Sequence, residues 1–178
     1  MKAGERNIPQ GELAPLSIIR IEREDQIQLC NALEAIADQL PAEVDVSLSQ
    51  KAYGSLRFNL PVYHLNEEAL FQRLARNAPS SSDLSLLLEQ VKYEHAVHNC
   101  YADEVGEFLQ DPRPERVVLN SEALGYMLRC CFETMRRHLK WEDLIFMPLA
   151  ETHTTPGDLR ELSQVLVKHR STLGLSIV

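Results

Sequence analysis

Two short segments present the same pair of side chains at the same spacing: His64-Leu-Asn-Glu-Glu68 and His138-Leu-Lys-Trp-Glu142. A histidine and a glutamate four residues apart stack on one face of a helix, about one turn from each other. Imidazole and carboxylate are metal ligands, and two such pairs on separate helices would converge on one centre. A third histidine, His95, falls on another apolar stripe. Burying carboxylates costs several kcal/mol per ion, and burying imidazoles costs less but is still unfavourable unless both are satisfied. A shared cation offsets both costs. Neutral imidazole and carboxylate suit iron, manganese or zinc, and the lack of thiolates argues against a structural zinc site. Two carboxylates that can each bridge two ions point to a dinuclear centre.

A single His-x-x-x-Glu pair is common as an ordinary hydrogen-bonding pair. The doubling, together with His95, is what favours a metal role. His98 lies one turn from His95 but about 60° off its direction, which suits either a second ligand or a partly buried hydrogen-bonding residue. His153 and His169 are expected to be solvated.

The elements that must position these residues are long helices. Ser17 caps a first helix that reaches Leu40, with Ile18, Ile21, Asp25, Leu29, Ala32 and Ile36 on its apolar face. A second runs from Leu48 to Asn77 and is kinked or broken at Pro61; its inner face carries Tyr53, Leu60, His64, Glu68 and Phe71. Ala78-Pro-Ser-Ser-Ser82 reads as a loop. A third helix starts at Asp83 and reaches Leu109, and Asp111-Pro-Arg-Pro114 stops it. A fourth runs from Glu115 to Leu149, with a break near Asn120-Ser121 left open. Its stripe is Leu124, Cys131, Met135, His138, Glu142, Ile145 and Leu149. A short last helix, Asp158 to Arg170, should pack outside. The expected fold is therefore all-α, an antiparallel up-down four-helix bundle with a short extra C-terminal helix. Residues 1–16 form a polar lead-in, 17–150 the bundle, and 151–178 the C-terminal loop and helix.

Bulk properties narrow the function. The chain has 178 residues and a formal charge of −8. Nucleic acid and anionic membrane surfaces need a basic footprint, so neither is an expected partner. No apolar run is long enough to span a membrane. Met1 to Gln10 lacks the apolar segment of a signal peptide. Cys30, Cys100, Cys130 and Cys131 show no Cys-x-x-Cys spacing and read as reduced thiols, so a cytoplasmic location is the simplest expectation.

The stretches Tyr63-His-Leu-Asn-Glu-Glu-Ala-Leu-Phe71 and His138-Leu-Lys-Trp-Glu-Asp-Leu-Ile-Phe-Met-Pro148 resemble the motif of the hemerythrin-like family, the HHE cation-binding domain. Glu94-His95 resembles the Glu-His of that family's third helix. The resemblance runs from about Ile18 to Leu149. It implies a non-haem di-iron centre, two iron ions per chain bridged by carboxylates, with manganese or zinc as substitutes. By position the implied ligands are His64, Glu68, His95, His138 and Glu142, with Glu68 and Glu142 as bridges. Asp143 matches the spacing of the last carboxylate in oxygen carriers. Glu142 is preferred, being about 40° from His138 on a regular helix against about 140° for Asp143.

Two positions depart from the family pattern. Asn99 stands where oxygen carriers have a second third-helix histidine, which argues against plain oxygen carriage. Asp25 stands where the first helix would carry a histidine, so Asp25 is either a further ligand or the mark of a lost metal. Two functions follow. One is a di-iron protein that binds or senses oxygen or nitric oxide, handles iron, or repairs iron centres. The other is a metal-depleted or mononuclear domain acting as a regulatory or interaction module. A metal-binding or sensor role is favoured over turnover, because no acid, base or nucleophile stands out apart from the ligands. A homodimer is left open.

Overall fold

The computed structural model describes residues 14–77, 82–112 and 114–172. The polar lead-in up to Leu13, the Ala78 to Ser81 stretch and the side chain of Asp83 lie outside them. Among the described residues the chain is all-helical and forms five rods, joined by short connections. Helix α1 is Pro15–Gln39. Helix α2 (Val46–Gly54) continues through a wide π turn, Ser55–Asn59, into α3 (Leu60–Asn77). Helix α4 is Ser82–Gln110. Helix α5 (Pro114–Trp141) continues through a second π turn, Glu142–Phe146, into α6 (Met147–His153). Helix α7 is Pro156–Thr172.

Local chemistry explains the starts. Helix α1 begins before Ser17 because Pro15 suits the first helical turn, where its missing N–H costs nothing. Helix α2 begins before Leu48 because the Asp45 carboxylate accepts from the Leu48 N–H at 3.0 Å. No break occurs at Asn120-Ser121; α5 runs through it.

The two π turns share a cause. A proline inside a helix offers no N–H and its ring collides with the carbonyl four residues back. Pro61 follows the first π turn and Pro148 the second, each after one intervening residue. The N–H groups of Leu60 and Met147 reach back five residues, to Ser55 and Glu142. Widening the helix there accommodates each proline without ending the rod. The widening also rotates the buried face. After the second turn the core side chains are Phe146, Met147 and Ala150, while Ile145, placed inward by regular periodicity, is exposed.

The rods enclose two apolar clusters. One contains Leu33, Ile36, Leu60, Leu109, Leu128 and Met135. The other contains Ile19, Leu70, Phe71, Phe146, Leu162 and Leu166. On four of the rods buried polar residues gather between the two, at Glu22, Arg23 and Gln26, at His64 and Glu67, at His95 and His98, and at His138 and Glu142. Helix α7 belongs to this core rather than lying outside it, since Leu162 and Leu166 are fully buried.

A buried polar chain ties α7 to the polar layer. Asn66 donates to both Glu22 oxygens at 2.9 and 3.0 Å, and Arg170 donates to Glu22 Oε1 at 3.0 Å. His169 Nδ1 donates to Asn66 Oδ1 at 2.8 Å, so His169 is a partly buried structural residue, not a solvated one.

Two stability outcomes follow. Phe71 is stacked on Phe146, with ring centroids 3.8 Å apart. Phe71→Ala should lower the unfolding free energy by about 3–5 kcal/mol in urea titrations, through the cavity it leaves. Burial pushes Glu22 up to about 7 from its ordinary 4.5, against the hydrogen bonds from Asn66 and Arg170. Between those values the folded chain holds a proton that the unfolded chain has released. That contribution is complete below pH 4.5 and is lost as pH rises through 7. Urea unfolding of the metal-free protein at pH 4.5 and pH 8 should show it, on the order of 3 kcal/mol at most, and Glu22→Gln should flatten it.

Candidate metal centre

Four buried side chains from three rods meet in the polar layer: Glu67 from α3, His95 from α4, His138 from α5, and Glu142 at the start of the second π turn. One ligand atom from each lies within 4.8 Å of all the others. Glu67 Oε2 is 3.2 Å from His95 Nε2, and Glu142 Oε1 is 3.3 Å from His138 Nε2. All four atoms are buried, and none makes a hydrogen bond. An orphaned buried carboxylate oxygen or imidazole nitrogen costs on the order of 1–3 kcal/mol or more. Four such atoms turned toward one point are a donor set for a cation, which relieves all of them at once.

The outer faces of the same residues are satisfied. His95 Nδ1 donates to Glu68 Oε1 at 2.9 Å, and His138 Nδ1 donates to Glu94 Oε2 at 2.6 Å. Each carboxylate holds the Nδ1 proton. With no cation bound, burial is outweighed by Glu142 and Glu94, and His138 is raised to about 10. Glu67 and Glu68 raise His95 in the same way. Each Nε2 therefore offers its inward lone pair when a cation displaces its proton. The hydrogen bond from His138 lowers Glu94 to about 2, so its carboxylate stays ionised. On the far side, Gln26 Nε2 donates to Glu67 Oε1 at 2.7 Å and Arg23 Nε donates to Glu142 Oε2 at 2.9 Å.

His95, His138 and Glu142 stand together as expected, but Glu67 takes the place expected for Glu68. The buried stripe of α3 runs through Leu60, Tyr63, Glu67, Leu70 and Leu74, and Glu67 is at its centre. Glu68 is about 100° further round, where it reaches the back of His95 instead. Asp143 is exposed and pairs with Arg23, leaving Glu142 as the inward carboxylate.

His64 is buried beside the group rather than in it. Its ring stacks on His95 at 3.9 Å, nearly parallel, and neither of its nitrogens has a partner. Burial and the neighbouring imidazoles hold it well below its ordinary pKa, so it is neutral. His98 is buried too, lowered to about 3 by desolvation, with its ring 5.2 Å from that of His138.

The structure does not bring Asp25 to the group. It is exposed and accepts from the Tyr63 hydroxyl at 2.9 Å. The buried face of α1 carries Ile19, Glu22, Arg23, Gln26, Cys30 and Leu33, rotated from the stripe expected through Ile21 and Asp25. Arg23, Gln26 and Glu67 escape an apolar count because they are polar residues on a buried face. Their i, i+3, i+4 continuity with Ile19, Cys30 and Leu33 is the signal that marks the first two.

Asn99 is exposed and lines a surface cleft of about 490 Å³ with Tyr53, Leu56, Arg57, Pro61 and Gly106. Pro61 is one turn before His64, so the cleft lies beside the histidine side of the layer.

The two adjacent glutamates of α3 should behave differently. Glu67→Ala is expected to abolish tight metal binding. Glu68→Gln should retain it and weaken it by roughly 10- to 100-fold, because an oriented ligand loses its support. Titration of the metal-free variants with ferrous or zinc ions in competition with a chelator checks both.

The hemerythrin family model, described as the hemerythrin HHE cation-binding domain, matches residues 14–150. Comparison with curated proteins and with solved structures gave no match. The match takes in every residue of the donor set and the α1 residues behind it, over most of the chain. The chain belongs to the hemerythrin HHE cation-binding family.

Proposed function

We propose that the protein binds iron in the layer between α3, α4 and α5 and uses it to bind or sense a small diatomic molecule such as oxygen or nitric oxide. The observation that carries the reading is the set of four buried, unpartnered donor atoms converging within 4.8 Å. Two imidazoles and two carboxylates suit iron, with manganese or zinc as substitutes. Iron held by Glu67, His95, His138 and Glu142 would supply a ferrous–ferric couple and would bind a small ligand directly.

The chain's own residues contribute the rest. Glu68 and Glu94 orient the imidazoles, and the two apolar clusters wall off the layer. His64 and His98, both neutral, border it on the histidine side, next to the cleft lined by Asn99. That surrounding favours a small uncharged ligand over a charged substrate. The up-down order of the long rods and a cytoplasmic setting belong to the same reading. Iron handling and repair of iron centres share its chemistry.

Protein made in iron-supplemented cells and desalted should retain iron, measured by elemental analysis. Nitric oxide added to the ferrous protein should produce a new visible band. His138→Ala should lose both iron and band with its helicity intact. A folded wild-type chain with no bound transition metal would overturn the proposal and leave the family's fold serving as an interaction module.

A further inference from the structure

We infer that helix α1 limits the centre to one metal ion, with the Arg23 guanidinium standing where a second cation would otherwise serve the same carboxylates. The inference rests on the metal-binding reading above and concerns how many ions that site takes.

A carboxylate that bridges two ions through its two oxygens must turn one oxygen to each ion, and an oxygen already held by a fixed donor is turned toward that donor instead. Here each inward glutamate has one oxygen committed to α1. Glu67 Oε1 accepts from Gln26 Nε2 at 2.7 Å, and Glu142 Oε2 accepts from Arg23 Nε at 2.9 Å. The remaining oxygens, Glu67 Oε2 and Glu142 Oε1, are the ones that face His95 Nε2 and His138 Nε2. Around the two glutamates the free donors therefore form one set, with one atom each from Glu67, His95, His138 and Glu142.

Arg23 is held in place. It is 5 % exposed, with Nη1 donating to Asp143 Oδ1 at 2.5 Å and Nη2 donating to the Leu139 carbonyl at 2.6 Å. A fixed positive charge already neutralises Glu142 from that side, and a second dication there would meet like charge in a buried setting where screening is weak. Arg23 cannot give way by losing its proton.

Helix α1 also offers no replacement ligand. Both Glu22 oxygens accept from Asn66, and one also accepts from Arg170. Asp25 faces outward to Tyr63. His64 keeps two unpartnered nitrogens, yet among the described residues no second group of three metal-ligating side chains forms around it.

The test is the iron content of the wild-type chain together with electron paramagnetic resonance of its oxidised form. About one iron per chain, with the signal of an isolated high-spin ferric ion, is the expected result. Two irons per chain, silent because the pair is coupled, would overturn the single-ion inference and leave the metal-binding reading standing. No transition metal at all would overturn that reading itself. Arg23→His frees Glu142 Oε2 and places an imidazole on α1, so its iron content should rise toward two. A folded Arg23→His variant that stays at one would overturn the role given to Arg23. The wild-type measurement stands without the variant.

Discussion

The constraint on which this molecule depends is electrostatic. Three carboxylates and four imidazoles occupy a layer sealed between apolar clusters, where each uncompensated group is costly. Packing alone cannot relieve them, because the apolar side chains above and below offer neither donors nor charge. Every polar contact in the layer is a partial answer to that cost. Glu68 and Glu94 settle the outer nitrogens, and Arg23 and Gln26 settle the outer oxygens. The four inner atoms of Glu67, His95, His138 and Glu142 remain, beside the unpartnered nitrogens of His64 and His98, and a cation is the chemistry that suits those four together.

The same constraint gives α1 its unusual character. A helix with Glu22, Arg23 and Gln26 on its buried face is a poor amphipathic helix by hydrophobicity, yet each of the three meets a partner from another rod. Their spacing matches the height of the polar layer, with Ile19 below and Leu29, Cys30 and Leu33 above. Through Glu22 and Asn66 the layer extends to His169 and Arg170, so α7 is fastened to the centre as well as to the apolar core.

The doubled His-x-x-x-Glu spacing was legible because i and i+4 positions share a helix face whatever the surroundings. It identified His138 with Glu142, and it located the right stretch of α3. Periodicity could not choose between Glu67 and Glu68, since the choice depends on where the neighbouring rods place the centre of the buried stripe. Regular periodicity also failed beyond Glu142, where the π turn shifts the inward position from Ile145 to Phe146. Pro148 hints at that turn, but a proline alone allows a kink, a break or a widening. On α1 the apolar residues alone point to the stripe through Ile21 and Asp25, because Arg23 and Gln26 do not register as buried until their partners Glu142 and Glu67 are in place.

The sequence by itself determined that the chain is helical, that its rods carry histidine and carboxylate at matching heights, and that a cation is the economical way to bury them. These follow from local rules of spacing, propensity and solvation. Only the tertiary structure decided which oxygen and nitrogen atoms face one another and which are occupied. That selection depends on contacts between residues far apart in the chain, such as Arg23 with Glu142 and Gln26 with Glu67. A buried polar side chain is indistinguishable from an exposed one until its partner is known, and the partners here come from other helices.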